Sequence, residues 1–162
     1  MTLTNILIAI IIIGFILSRQ LRERPVREDK GYTMLIVLGI AGLAQVAQGI
    51  EKFSDIPPVA YGVLLASLLV GAGFGVWRAA KMHLWRDHGT LVRQGNWITV
   101  VLWIVGMGLH LGSDVVLERI SPHAATLGSS SIVLYIAVSL AVQRYVMMRR
   151  AESAVERRTP AS

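Results

Sequence analysis

The chain has no cysteine among its 162 residues. That excludes disulfides, thiol redox chemistry, cysteine nucleophiles, iron–sulfur ligation and thioether attachment of haem. Familiar catalytic motifs are missing as well, since there is no nucleophile elbow for serine hydrolysis and no His-x-x-x-His pair of the zinc-protease type. No apolar run carries an internal lysine for a retinal Schiff base. The chain has 4 histidines, and only His110 lies deep inside an apolar run, so a haem between two opposed intramembrane imidazoles would require a dimer through His110. No cofactor is assigned on this pattern, and the expectation of an enzyme falls.

What is present is apolar length. Hydrophobic residues make up 54% of the chain and the mean hydropathy is +0.58, which places it in the membrane class. A span needs about 20 apolar residues, so the length accommodates five helices and short loops but no separate soluble domain. The expected fold is an all-α membrane protein, a single five-helix transmembrane domain over residues 1–148 followed by a short, basic, disordered cytoplasmic tail over 149–162. The predicted spans are Leu3–Leu17, Tyr32–Ile50, Val59–Trp77, Trp97–Leu117 and Thr126–Met148. The first is read as an uncleaved anchor, because its basic residues Arg19, Arg22, Arg24 and Arg27 follow the apolar core.

Charge sets the expected direction. Of the 16 lysines and arginines, five spans leave only Lys52 and Arg119 on one side, which by the positive-inside rule puts the N-terminus outside and the C-terminus in the cytoplasm. The basic residues flank apolar runs instead of lining one face of a soluble helix. The net charge of +6 is therefore read as orientation charge beside a lipid bilayer, with no nucleic acid partner.

The loop Arg78–Gly95 alternates apolar and polar residues around Asp87-His88-Gly89, which suits a short interfacial β-hairpin. An amphipathic helix over Ala79–Trp85 fits almost as well. His83 and His88 are of a metal-ligating type, but no complete ligand set lies nearby and exposed loop histidines are common, so no metal is assigned; together with Asp87 they are candidates for headgroup chemistry. The other soluble-facing pieces, a charged linker over 19–30 and outer loops over 51–58 and 118–125, are short.

The candidate polar pocket joins His110 and Asp114, one helical turn apart on the fourth span, to Gln45, Gln48 and Glu51 at the outer end of the second. An ionisable group at membrane depth costs about 2.5 to 3.5 kcal/mol on insertion scales, so His110 should face a bundle interior or cavity. It could exchange a proton or bind a ligand, or it could simply fix the packing of the second and fourth spans. Two GxxxG spacings, Gly71/Gly75 and Gly108/Gly112, are candidate helix-packing positions. Ser129, Ser130 and Ser131 are expected to bond to their own helix carbonyls or to a neighbouring span.

The segment Arg78-Ala79-Ala80-Lys81-Met82-His83-Leu84-Trp85-Arg86, followed by Gly89-Thr90-Leu91-Val92-Arg93, resembles small bacterial membrane proteins of the CcdC-like group. The resemblance implies a multi-pass protein of the bacterial plasma membrane associated with cytochrome c biogenesis, and it carries no site residues over. The leading functional expectation is a non-enzymatic accessory or assembly protein, packing as a homo-oligomer or against a membrane-protein partner. The alternatives are a small transporter or sensor using the pocket at His110, and a lipid-modifying enzyme acting through His83, His88 and Asp87 or through His110 and Glu51.

Overall fold

The computed structural model describes residues 22, 24–25, 31–52, 56–88 and 90–156. The expected first span, Leu3–Leu17, lies outside the described residues. The described part is built from a two-residue strand β1 (Arg24–Pro25), helices α1 (Gly31–Lys52) and α2 (Pro58–Lys81), strands β2 (His83–Asp87) and β3 (Thr90–Gln94), and helices α3 (Trp97–Ile120), α4 (Pro122–Ser130) and α5 (Ile132–Glu156). Among the described residues four helices, α1, α2, α3 and α5, are long and apolar enough to cross a membrane.

Their outward faces agree with that. Met34, Ile40, Leu65, Leu69, Ile104 and Leu109 all point outward and are more than half exposed, whereas buried positions on α2 are largely small residues, Ala60, Ser67, Gly71, Gly75 and Ala79. A water-soluble bundle would show the reverse, with large side chains inside. Helices solvated by lipid gain nothing by hiding leucine and instead associate through small and polar residues that permit close backbone approach.

Two parallel helices form the central seam. On α2, Ser67, Gly71, Gly75 and Ala79 recur every four residues, and on α5, Tyr135, Ser139, Gln143, Met147 and Ala151 do the same, in register with Ser131 just before the helix; every one of these is buried. Such four-residue rows are ridges that pack into one another's grooves. The fit is close enough that a Cβ on Gly75 would sit 2.5 Å from the Ser139 carbonyl oxygen, and one on Gly71 2.5 Å from the Tyr135 ring. Antiparallel to this pair, α3 lies against α2, and α1 crosses α5 where Gly42 meets the Leu134 backbone.

The helix ends follow local chemistry. Pro58 occupies the first turn of α2, where a missing N–H costs nothing. Asn96 caps α3 by accepting from the Thr99 amide at 3.0 Å, while its Nδ2 donates to the Lys81 carbonyl, so one side chain ties the end of α2 to the start of α3. Between these ends the chain makes the hairpin: β2 and β3 pair antiparallel from His83↔Gln94 to Asp87↔Thr90, and β1 adds to β3 as a third strand. The amphipathic-helix alternative for Ala79–Trp85 is thus resolved in favour of strands, although α2 does continue through Ala79 to Lys81. His88 in the turn has φ 45, a left-handed conformation tolerated in tight turns.

Three boundaries differ from expectation. The loop over 118–125 is absent, because α3 runs to Ile120 and Ser121 alone separates it from α4, capping α4 through its Oγ and the Ala124 amide. The fifth span does not begin at Thr126 as one helix, because Ser129, Ser130 and Ser131 each donate to the carbonyl three residues back and the Ser131 amide joins the Gly128 carbonyl. Those bonds compete with the regular ladder and break the helix at Ser131. Finally, α5 passes Met148 and continues to Glu156, so the first part of the expected tail is helical.

Candidate functional site: a polar column in the bundle

Most of the polar residues that the bundle buries lie along the seam in two groups, while Thr99 and Ser131 bond locally to backbone carbonyls. The first is centred on His110, which is 1% exposed. At about 1.5 Å per residue it lies roughly 20 Å along α3 from Trp97 and about 15 Å from Ile120. Its Nδ1 is 2.8 Å from Ser67 Oγ on α2. Its ring stacks on Tyr135 of α5, with centroids 4.3 Å apart and planes 17° from parallel. Ser113, on the next turn of α3, donates to the His110 carbonyl at 2.6 Å and lies 3.4 Å from Ser67 Oγ. In either tautomer Nε2 is left with no hydrogen-bond partner, and so is Asp114 Oδ1 one turn away. Asp114 is there because Gly128 lets α4 approach: a Cβ on Gly128 would stand 2.6 Å from that oxygen.

The second group is centred on Arg78, three residues before the end of α2 and only 2% exposed. Its Nη2 donates to Ser139 Oγ at 2.5 Å, and Ser139 donates to the Gly71 carbonyl at 2.7 Å. The guanidinium lies 4.7 Å from the centroid of the Trp103 ring. Gln143, one turn beyond Ser139, donates to Met82 Sδ at 3.4 Å. Arg150 donates to the Ala79 and Met82 carbonyls at the end of α2, which closes the helix terminus. Tyr135 links the two groups, since its hydroxyl donates to the Gly106 carbonyl at 2.7 Å while its ring covers both Gly71 and His110.

Of the predicted pocket, His110 and Asp114 come together, but Gln45, Gln48 and Glu51 do not join them. All three lie on the exposed side of α1, whose buried residues Gly42, Val46 and Gly49 face α4 and α5. The second and fourth predicted spans are therefore not the pair that His110 holds; it bridges α2, α3 and α5. The two GxxxG spacings also part company. Gly71 and Gly75 are in the tightest part of the seam, whereas Cβ atoms on Gly108 and Gly112 would meet nothing within 4 Å.

The hairpin histidines do not converge. His83 starts β2 and His88 sits in the turn, five residues on, which is about 16 Å apart along a strand. His88 Nδ1 is 2.8 Å from Asp87, with both side chains exposed. Among the described residues no group of three or more His, Cys, Asp or Glu side chains is placed to hold a metal.

Ser67, Ser113, Arg78, Trp103, Tyr135, Ser139 and Gln143 are the site residues that sequence reasoning missed. A signal existed for part of this, because Tyr135, Ser139 and Gln143 are the polar members of a four-residue row in an otherwise apolar helix. Arg78 could be found only by noticing that nothing in Arg78–Lys81 stops the helix. No family model matches the chain, and no curated protein or solved structure does either.

Proposed function

We propose that this chain is an integral membrane protein whose working part is an intramembrane proton-exchange site, as in a small transporter or a sensor. One observation carries the reading: His110 Nε2 and Asp114 Oδ1 are both buried, both without a hydrogen-bond partner, and one helical turn apart on a membrane-length helix. Ionisable groups at such depth are costly and by default functional, and imidazole is the side chain whose ordinary titration falls between about pH 5 and 8. Ser67 and Ser113 supply hydroxyls that can reorient as the proton moves.

The finer membrane assignment is part of the same proposal. Tyr32 packs against Arg144, and Arg150 against the end of α2, so the N-terminal end of α1 and the basic C-terminal ends of α2 and α5 fall together with the hairpin. That favours a cytoplasmic hairpin end and C-terminus. The apolar segment 3–17 would complete five spans, with its N-terminus outside. A bacterial plasma membrane is the setting suggested by the CcdC-like resemblance.

The test is dissipation of a pH gradient by the reconstituted full chain, read with an enclosed pH-sensitive dye. His110→Ala and Asp114→Asn are each expected to slow it at least about tenfold, and pH-dependent changes in Trp103 fluorescence should flatten in the same variants. If both variants keep every proton-flux and pH response of the parent protein, the reading fails.

A second reading has one observation behind it. Gly108 and Gly112 present an outward GxxxG face that the described bundle leaves open, which suits an accessory or assembly protein that packs against a second copy or a membrane partner. Purification in mild detergent as a lone monomer with nothing attached would count against it.

A further inference from the structure

Arg78 raises a question that the proton site does not answer. An arginine cannot lose its charge in a protein, and long basic side chains near helix ends ordinarily extend toward water. Arg78 does the opposite. At three residues, about 4.5 Å, from the end of α2 it lies at the level where lipid headgroups meet hydrocarbon, yet it turns inward to Ser139 and Trp103. The depth has independent support, because Trp77 and Trp97, 53% and 65% exposed, mark the same end as an interfacial belt.

No carboxylate forms an ion pair with it among the described residues. Arg78 Nε and Trp103 Nε1 are moreover both buried donors with no partner. These two side chains touch, so a single group with several acceptor oxygens can serve both. The surrounding end is basic, with Lys81, Arg93, Arg144, Arg149 and Arg150 in α2, β3 and α5 against Asp87 and Glu152.

We propose that Arg78 and Trp103 form a binding site, between α2, α3 and α5, for the phosphate of an anionic headgroup. A phosphate oxygen accepts from Arg78 Nε in a charge-assisted bond and another from Trp103 Nε1, with Ser139 holding the guanidinium in place. Recognition of acidic lipid by basic residues set between helices at the cytoplasmic face is physically reasonable, since the buried cation gains a counter-charge without either group entering the hydrocarbon.

The test is native mass spectrometry of the full chain in mild detergent, titrated in separate arms with phosphatidylglycerol, phosphatidylcholine and inorganic phosphate. The parent protein should retain phosphatidylglycerol in preference to phosphatidylcholine. Arg78→Gln should weaken that binding about tenfold, the size of one charge-assisted bond, and Trp103→Phe less than that. Equal capture of inorganic phosphate, lost in Arg78→Gln, would support the anion site and assign it to a free anion. Unchanged phosphatidylglycerol binding in Arg78→Gln overturns the proposal. Should that variant not fold, Trp103→Phe, which keeps the charge and most of the packing, decides: the lipid-induced rise in melting temperature must shrink, and an undiminished rise overturns it.

Discussion

The two buried polar groups share a seam and a tyrosine but meet opposite electrostatic requirements. Around His110 every partner is neutral or can become so, and burial is tolerated because imidazole has an uncharged form hydrogen-bonded to Ser67. Around Arg78 the charge is permanent, and Ser139 and the Trp103 face offer only partial compensation. The difference teaches where each chemistry can sit in a bundle of this length. The group able to change its charge lies near mid-depth, whereas the group unable to do so lies one turn from a helix end, within reach of an external counter-charge.

The strongest way to break the comparison is to separate both groups at once. In Gly75→Leu the new side chain would start 2.5 Å from the Ser139 carbonyl oxygen, which is backbone and cannot step aside. The helices must part, and thermal unfolding in detergent should show a loss of about 3 kcal/mol or more, or no folded protein. Next in size is Ser139→Ala, which removes the acceptor of Arg78 Nη2 and the donor to the Gly71 carbonyl together. A loss of about 2 kcal/mol is expected, since one of the stranded groups is charged. Ser67→Ala strands only His110 Nδ1 and should cost about 1 kcal/mol in the same measurement. If Ser67→Ala proved the more damaging of the two serines, the assignment of the harder electrostatic problem to Arg78 would be wrong.

How much of this is readable in advance depends on what carries the signal. The spans Tyr32–Ile50, Val59–Trp77 and Trp97–Leu117 are legible because lipid demands long apolar runs, and α1, α2 and α3 overlap them closely. The hairpin is legible as one of two alternatives from the alternation around Asp87-His88-Gly89. The break at Ser131 is not, because three serines in an apolar run are compatible with a continuous helix until their hydroxyls choose carbonyls. Facing is least legible. A helix that is apolar all round gives no amphipathic direction, so Gln45 and Gln48 look like partners for His110 by depth alone, while Ser67 and Tyr135, the actual partners, look like ordinary members of their spans.

The same blindness to facing explains why two identical glycine spacings have different roles, and it leads to the smallest predicted effect. Gly71 and Gly112 each belong to a GxxxG pair, but only Gly71 has a neighbour where its Cβ would be. Gly112→Ala should therefore shift the stability of the isolated protein by no more than about 0.5 kcal/mol, as for a surface substitution. Gly112→Leu should be nearly as silent in a monomer, because open space lies outside α3 for the larger side chain as well. A large loss in either variant, or a change of oligomeric state by size-exclusion chromatography with light scattering, would mean that another helix covers this face in the membrane. That outcome would move the balance toward assembly through Gly108 and Gly112. A silent result leaves the outward face to lipid and concentrates function on the buried column, because the two spacings then differ in what they touch and not merely in where they occur.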